Sequence, residues 1–128
     1  MAFVTNLRQF TNEINKFNKR NNDEILRFFK LIAFDLFSKL TVRTPVDTGR
    51  ARASWVLSVN RLPPDEPAPE QQGRYVIQEP DLTEVTLKTI IFITNTTDYI
   101  EFLDQGTSDQ APRGIVDLAI AETENKFL

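Results

Sequence analysis

The order of hydrophobic patterns in this chain predicts an α+β domain: two N-terminal helices and a C-terminal helix packed over one face of a small, mostly antiparallel sheet. Three observations carry that expectation. Apolar residues recur at helical spacing between Phe3 and Leu40 and again from Ile115 to Ile120; alternating or β-branched residues fill Ala51 to Val59 and Thr89 to Thr94; and turn-forming residues separate these runs. With 128 residues, one domain spanning 1–128 is the economical expectation, large enough for a single core and short for two.

Phe3, Leu7, Phe10, Ile14 and Phe17 stand at spacings of four and three, which places them on one narrow stripe of a helix running to about Lys19. Such a seam, ringed by Asn, Gln, Arg and Lys, docks by one edge, either on its own core or on a neighbour. Asn21 to Glu24 interrupts it as a loose capping box, with Asn21 in the capping position. From Ile25 to Leu40 the apolar face is so wide that the second helix is expected to be buried on more than one side. It stops before Pro45, whose ring disfavours a helical Thr44.

Thr44 to Arg50 forms a compact turn in which Pro45 presets one dihedral, Asp47 bonds nearby amides and Gly49 permits a positive φ. Ala51, Ala53, Trp55, Leu57 and Val59 then alternate with Arg52, Ser54, Val56 and Ser58, so the period of two predicts a strand over 51–59 with Trp55 toward the core. Residues 61–74, rich in proline, acids and glutamine, are expected to form a flexible loop. Tyr75 to Ile77 is a candidate short strand, and Asp81 to Val85 is a helical turn or a connection. Thr89 to Thr94 is apolar on both faces, which predicts a central strand.

The chain then enters a mostly polar corner, Asn95 to Gly114. Tyr99, Ile100, Phe102 and Leu103 suggest one or two helical turns. Gly106 supplies the stop, and Pro112 sits where a first-turn proline is tolerated, at the start of a last helix expected over Pro112 to about Lys126. Corners of this length between regular elements commonly carry contacts or function.

Composition excludes much chemistry. The chain has no cysteine and no histidine, which removes disulfides, thiolate metal sites, a cysteine nucleophile and the commonest general base. No apolar run approaches a membrane span and the first residues lack a signal-peptide pattern, so a soluble product made in the cytoplasm is expected. The net charge of −3 divides unevenly: residues 1–60 carry +5 and residues 61–128 carry −8. A basic front and an acidic back suit either head-to-tail packing of copies or two solvated faces of one monomer.

Two separated blocks carry a family resemblance. Arg43 to Trp55, RTPVDTGRARASW, resembles a "TPVDTGRLRASW" block, and Ile93 to Gly114 resembles an "I-x-N … Y … GTS-x-QAP-x-G" block. Both belong to the neck and tail-completion proteins of long-tailed bacteriophages, a group similar to minor tail protein Z. The blocks cover about a quarter of the chain in the family's order; Asp104-Gln105 stands where the family usually has Glu before the glycine, and residues 61–73 have no counterpart in the pattern.

The resemblance implies a structural, non-enzymatic virion protein without a cofactor. It would form a ring of six or twelve copies at the head–tail junction, joining a connector or head-completion protein to a tail terminator or tail tube. A ring needs a heterologous interface. Basic Arg50 and Arg52 facing the acidic corner of Asp98, Glu101 and Asp104 on the next copy, with Tyr99 beside them, is one candidate pairing; decoration of a solvent face is the other reading of those arginines. Pro45, Asp47, Gly49, Gly106, Pro112 and Gly114 shape the turns.

Two other functions follow from the residues alone. Asp98, Glu101 and Asp104, spaced by three, share a helical face and suggest Mg²⁺ ligands of a hydrolase, though no activating base accompanies them. Arg8, Lys16, Lys19, Arg20, Arg27 and Lys30 gather basic charge that would support weak, non-specific DNA contact in a ring lumen. Glu13 interrupts the modest basic face of the first segment, which argues against a membrane role.

Overall fold

The computed structural model describes residues 2–5, 22–46, 49–106 and 114–127. Residues 6–19 of the helix expected from Phe3 to about Lys19, the Asn21 cap, Asp47 in the first turn and Pro112 in the corner lie outside the described residues.

The elements run β1 (Ala2–Thr5), α1 (Asn22–Arg43), α2 (Arg50–Ala53), β2 (Trp55–Val59), β3 (Glu70–Gln71), β4 (Arg74–Tyr75), β5 (Ile91–Asn95), α3 (Ile100–Asp104) and α4 (Val116–Phe127). The α+β class is as expected. Strands β1, β5 and β2 form an antiparallel sheet in that order, with Ala2 opposite Thr94 and Trp55 opposite Asn95. β5 is therefore central, as its two-sided apolar character predicts.

Four local expectations change. The N-terminal periodicity places Phe3 on a helix, yet Ala2–Thr5 is a strand, because β5 offers an unpaired edge whose backbone groups need partners. Residues 50–53 form a helical turn rather than the start of a strand: Ala53 N–H donates to Gly49 C=O at 3.0 Å and Ser54 Oγ to Arg50 C=O at 2.6 Å. Alanine and arginine favour that turn, and β-branched residues begin only at Val56. The 61–74 loop contains a small hairpin in which β3 pairs with β4 across Gln72 and Gly73, both at positive φ (53° and 76°), the backbone of a two-residue hairpin turn. The candidate strand at 75–77 is thus shifted to Arg74–Tyr75. Fourth, α1, expected to be buried on more than one side, leaves Leu31, Phe34 and Val42 exposed on one side.

α1 begins with Asp23 and Glu24 near its positive N-terminal dipole end and buries Ile25, Phe29, Ile32, Leu36, Phe37 and Leu40. This face meets Trp55, Ile91 and Ile93 from the sheet, Ile100 from α3, and Ile115, Val116 and Ala119 at the start of α4. Burying each large side chain contributes about 1.5–3 kcal/mol, so the α1–sheet–α4 cluster is the main source of stability. α4 is clamped to α1 along its length. Phe28 and Phe127 meet edge to face at 5.5 Å, Arg43 pairs with Glu122, and Asp35, also paired within α1 to Lys39 at 2.5 Å, holds Lys126 at 3.0 Å and the Thr123 hydroxyl at 3.1 Å.

Candidate functional site

The two sequence blocks, some forty residues apart, meet in space. Thr44, just past the end of α1, is fully buried; its hydroxyl donates to Leu40 C=O at 2.7 Å and accepts the indole N–H of Trp55 at 2.7 Å. The Thr44 carbonyl accepts from the Arg52 guanidinium at 3.0 and 3.2 Å, and Val42 C=O accepts from the same group at 2.9 Å. Arg52 thereby satisfies carbonyls that the end of α1 leaves without helical partners, and its cationic charge suits the negative end of the helix dipole.

From the second block, Asn95 Nδ2 donates to Ala51 C=O at 2.8 Å, while its Oδ1 accepts from the Thr97 amide at 3.0 Å and the Thr97 hydroxyl at 2.5 Å. Thr96 N–H donates to Ser54 C=O at 3.2 Å. Asn95 and Thr97 are both buried, so the bonds between the blocks run through a site shielded from water, where leaving a partner unmade is costly.

At the far end of the corner, Asp104 Oδ1 accepts from the amides of Ile115 at 3.1 Å and Val116 at 2.8 Å, which caps N–H groups that the start of α4 leaves without helical partners. Gly114 is packed so closely that a Cβ would lie 2.2 Å from the Asp104 carbonyl oxygen. Gly106 terminates α3 at φ 82°, as expected of a C-terminal glycine.

The residues proposed for an interface from sequence are thus distributed between fold and surface. Arg50 is exposed and its guanidinium lies 5.6 Å from the centre of the Tyr99 ring, within the range of a cation–π contact. Asp98 and Glu101 are exposed. Arg52 and Asp104 bond within their own chain. Among the described residues no group of three His, Cys, Asp or Glu side chains could hold a metal ion, and Asp104 Oδ1 is engaged by two amides of its own chain. No helix among the described residues is long and apolar enough to cross a membrane.

One feature escapes a hydropathy pattern. Leu31 and Phe34 are 51% and 50% exposed and Val42 is 69% exposed, so the wide apolar face of α1 is buried on one side and open on another. The open side borders a groove of about 260 Å³ shared with Ile77, Glu79 and Pro80. A face too wide for one core was the signal; which side would lack cover depends on the path of 76–80.

No family model, curated protein or solved structure matches the chain.

Proposed function

We propose that the chain is a structural protein of the bacteriophage head–tail junction. It acts without catalysis, as a ring of six or twelve copies between a connector or head-completion protein and a tail terminator or tail tube, and it is carried in the virion. The observation that carries the reading is the joining of the two family-like blocks by the Asn95–Ala51 and Thr96–Ser54 hydrogen bonds, with the first block braced internally by Trp55–Thr44. Two motifs whose spacing in sequence is long make mutual sense as one braced corner. Their polar atoms are turned inward, which suits a rigid platform for contacts better than a reaction centre. The exposed rim of Arg50, Asp98 and Glu101 remains the proposed surface for charge pairing between copies.

The test is genetic and biochemical. Interrupting the coding sequence in the phage that carries it is expected to leave filled heads and finished tails unjoined, and added purified protein is expected to restore joined particles. Normal joining without the protein, or turnover of a small substrate by it, overturns the reading.

A further inference from the structure

The geometry points to the open groove on α1 as the seat for the arm at residues 61–66 of a second copy of this chain, an assignment that rests on the ring reading above and names one of its interfaces. The groove is lined by Phe34, Phe37, Val42, Ile77 and Pro80. Lys30 and Arg27, four and seven residues before Phe34, continue the same helical stripe toward the N-terminus of α1, and neither forms an ion pair among the described residues. Glu79 borders the groove and is exposed. The seat therefore offers one acidic group beside an apolar floor and a basic track leading away along α1.

The arm has the matching order. Arg61 precedes Leu62, which is 55% exposed, then Pro63-Pro64, then exposed Asp65 and Glu66. Leu62 seated against Phe34 brings Arg61 toward Glu79 and carries the two acids toward Lys30 and Arg27. The lengths agree. Lys30 and Arg27 stand about 6 and 10 Å along the helix from Phe34 at 1.5 Å per residue, and Asp65 and Glu66 follow Leu62 by about 9 and 12 Å in an extended proline-rich chain. A tight turn closed by Glu66 N–H on Pro64 C=O at 3.0 Å brings the second figure closer to the first. Prolines hold the arm near its bound shape, which lowers the ordering cost of docking, and proline-rich segments suit aromatic-lined grooves. The groove and the arm are different patches, so the contact is heterologous and propagates around a ring.

Because the chain contains no cysteine, single substitutions give a clean test. Phe34→Cys and Leu62→Cys chains are purified separately, checked for unchanged thermal midpoints, mixed at high concentration and oxidised. The expected result is a disulfide-linked dimer at twice 14.7 kDa that forms from the mixture far more than from either chain alone. Lys30→Glu on the Phe34→Cys chain should lower its yield roughly threefold or more, with recovery when the Leu62→Cys chain carries Asp65→Lys. Equal cross-linking of Phe34→Cys alone, a cross-link confined to one chain in the double variant, or adducts formed only with another virion protein would each overturn the assignment. Rings of normal mass without the Phe34–Leu62 adduct would remove this interface and leave the ring reading intact, whereas the loss of that reading is decided separately by whether heads and tails join without the protein.

Discussion

The indole N–H of Trp55 donates to the hydroxyl of Thr44 at 2.7 Å, and both residues are fully buried. Thr44 Oγ1 in turn donates to Leu40 C=O, so one hydroxyl links the end of α1 to the first residue of β2. Thr44→Val keeps the shape and removes the acceptor, leaving the indole N–H buried without a partner. A loss of about 1–3 kcal/mol is expected, measured by urea unfolding followed through the fluorescence of Trp55, the single tryptophan. Thr44→Ser should recover most of it; a Thr44→Val protein as stable as the wild type would show that the bond is energetically idle.

Asn95 joins the two halves of the corner by donating to Ala51 C=O and accepting twice from Thr97. Asn95→Ala strands three buried groups at once, and a cost of about 2–4 kcal/mol follows from their desolvation. Asn95→Asp retains the acceptor and loses the donor while introducing charge at a site 4% exposed, so it should be no less harmful near neutral pH. Chemical denaturation of both variants checks the ranking.

The class of the fold and the central place of β5 were legible because each rests on a long, consistent apolar pattern. The turn at 50–53 was not, since Arg50, Ala51, Arg52 and Ala53 satisfy a period of two by accident of composition while their propensity and the reach of Arg52 to Thr44 C=O favour a helical turn. β1 was missed because a four-residue strand pairing with a distant edge carries little local signal beside a helical stripe that includes Phe3. Within the corner, Gly106 and the short helix before it were visible as turn chemistry. The roles of Asp104 and Arg52 were not, because their acceptors and donors lie on elements brought near only by packing.

Asp35 provides a pH signature. Burial alone would raise its pKa, but the Lys39 and Lys126 ammonium groups and the Thr123 hydroxyl outweigh it and hold the carboxyl below 3.8. A depressed carboxylate stabilises the fold above its unfolded pKa, and that contribution is lost as pH falls through the folded value. Asp35→Asn should therefore cost about 1–2 kcal/mol at pH 7, with its deficit relative to wild type shrinking below pH 3.8. Thermal or urea midpoints of the two proteins between neutral and acid pH test this, and a deficit constant across that range would contradict it.

Gly49 and Gly114 both stand at φ 85°, yet only one is crowded: a Cβ at Gly49 meets nothing within 4 Å, whereas at Gly114 it lies 2.2 Å from the Asp104 carbonyl oxygen. Gly49→Ala bears backbone strain alone, about 1–2 kcal/mol. Gly114→Ala adds a clash with backbone that also positions the cap of α4, and should exceed about 3 kcal/mol. Comparable unfolding midpoints for the two variants would show that the chain between α3 and α4 yields more readily than this packing implies.

Arg50 and Arg52, two residues apart, separate folding from assembly. Arg52 gives its donors to Thr44 and Val42 carbonyls, so Arg52→Glu removes those bonds and places an anion at the negative end of α1, a loss of about 1–3 kcal/mol. Arg50 is exposed and lies over Tyr99, so Arg50→Glu should cost no more than about 1 kcal/mol in the isolated chain. If the Arg50 rim pairs with acids on the next copy, Arg50→Glu will weaken assembly while leaving the unfolding midpoint nearly unchanged, and charge reversal at Asp98 or Glu101 will restore it. Assembly lost only in Arg52→Glu, in proportion to its lost stability, would instead assign that arginine to the fold alone and remove the rim from the interface.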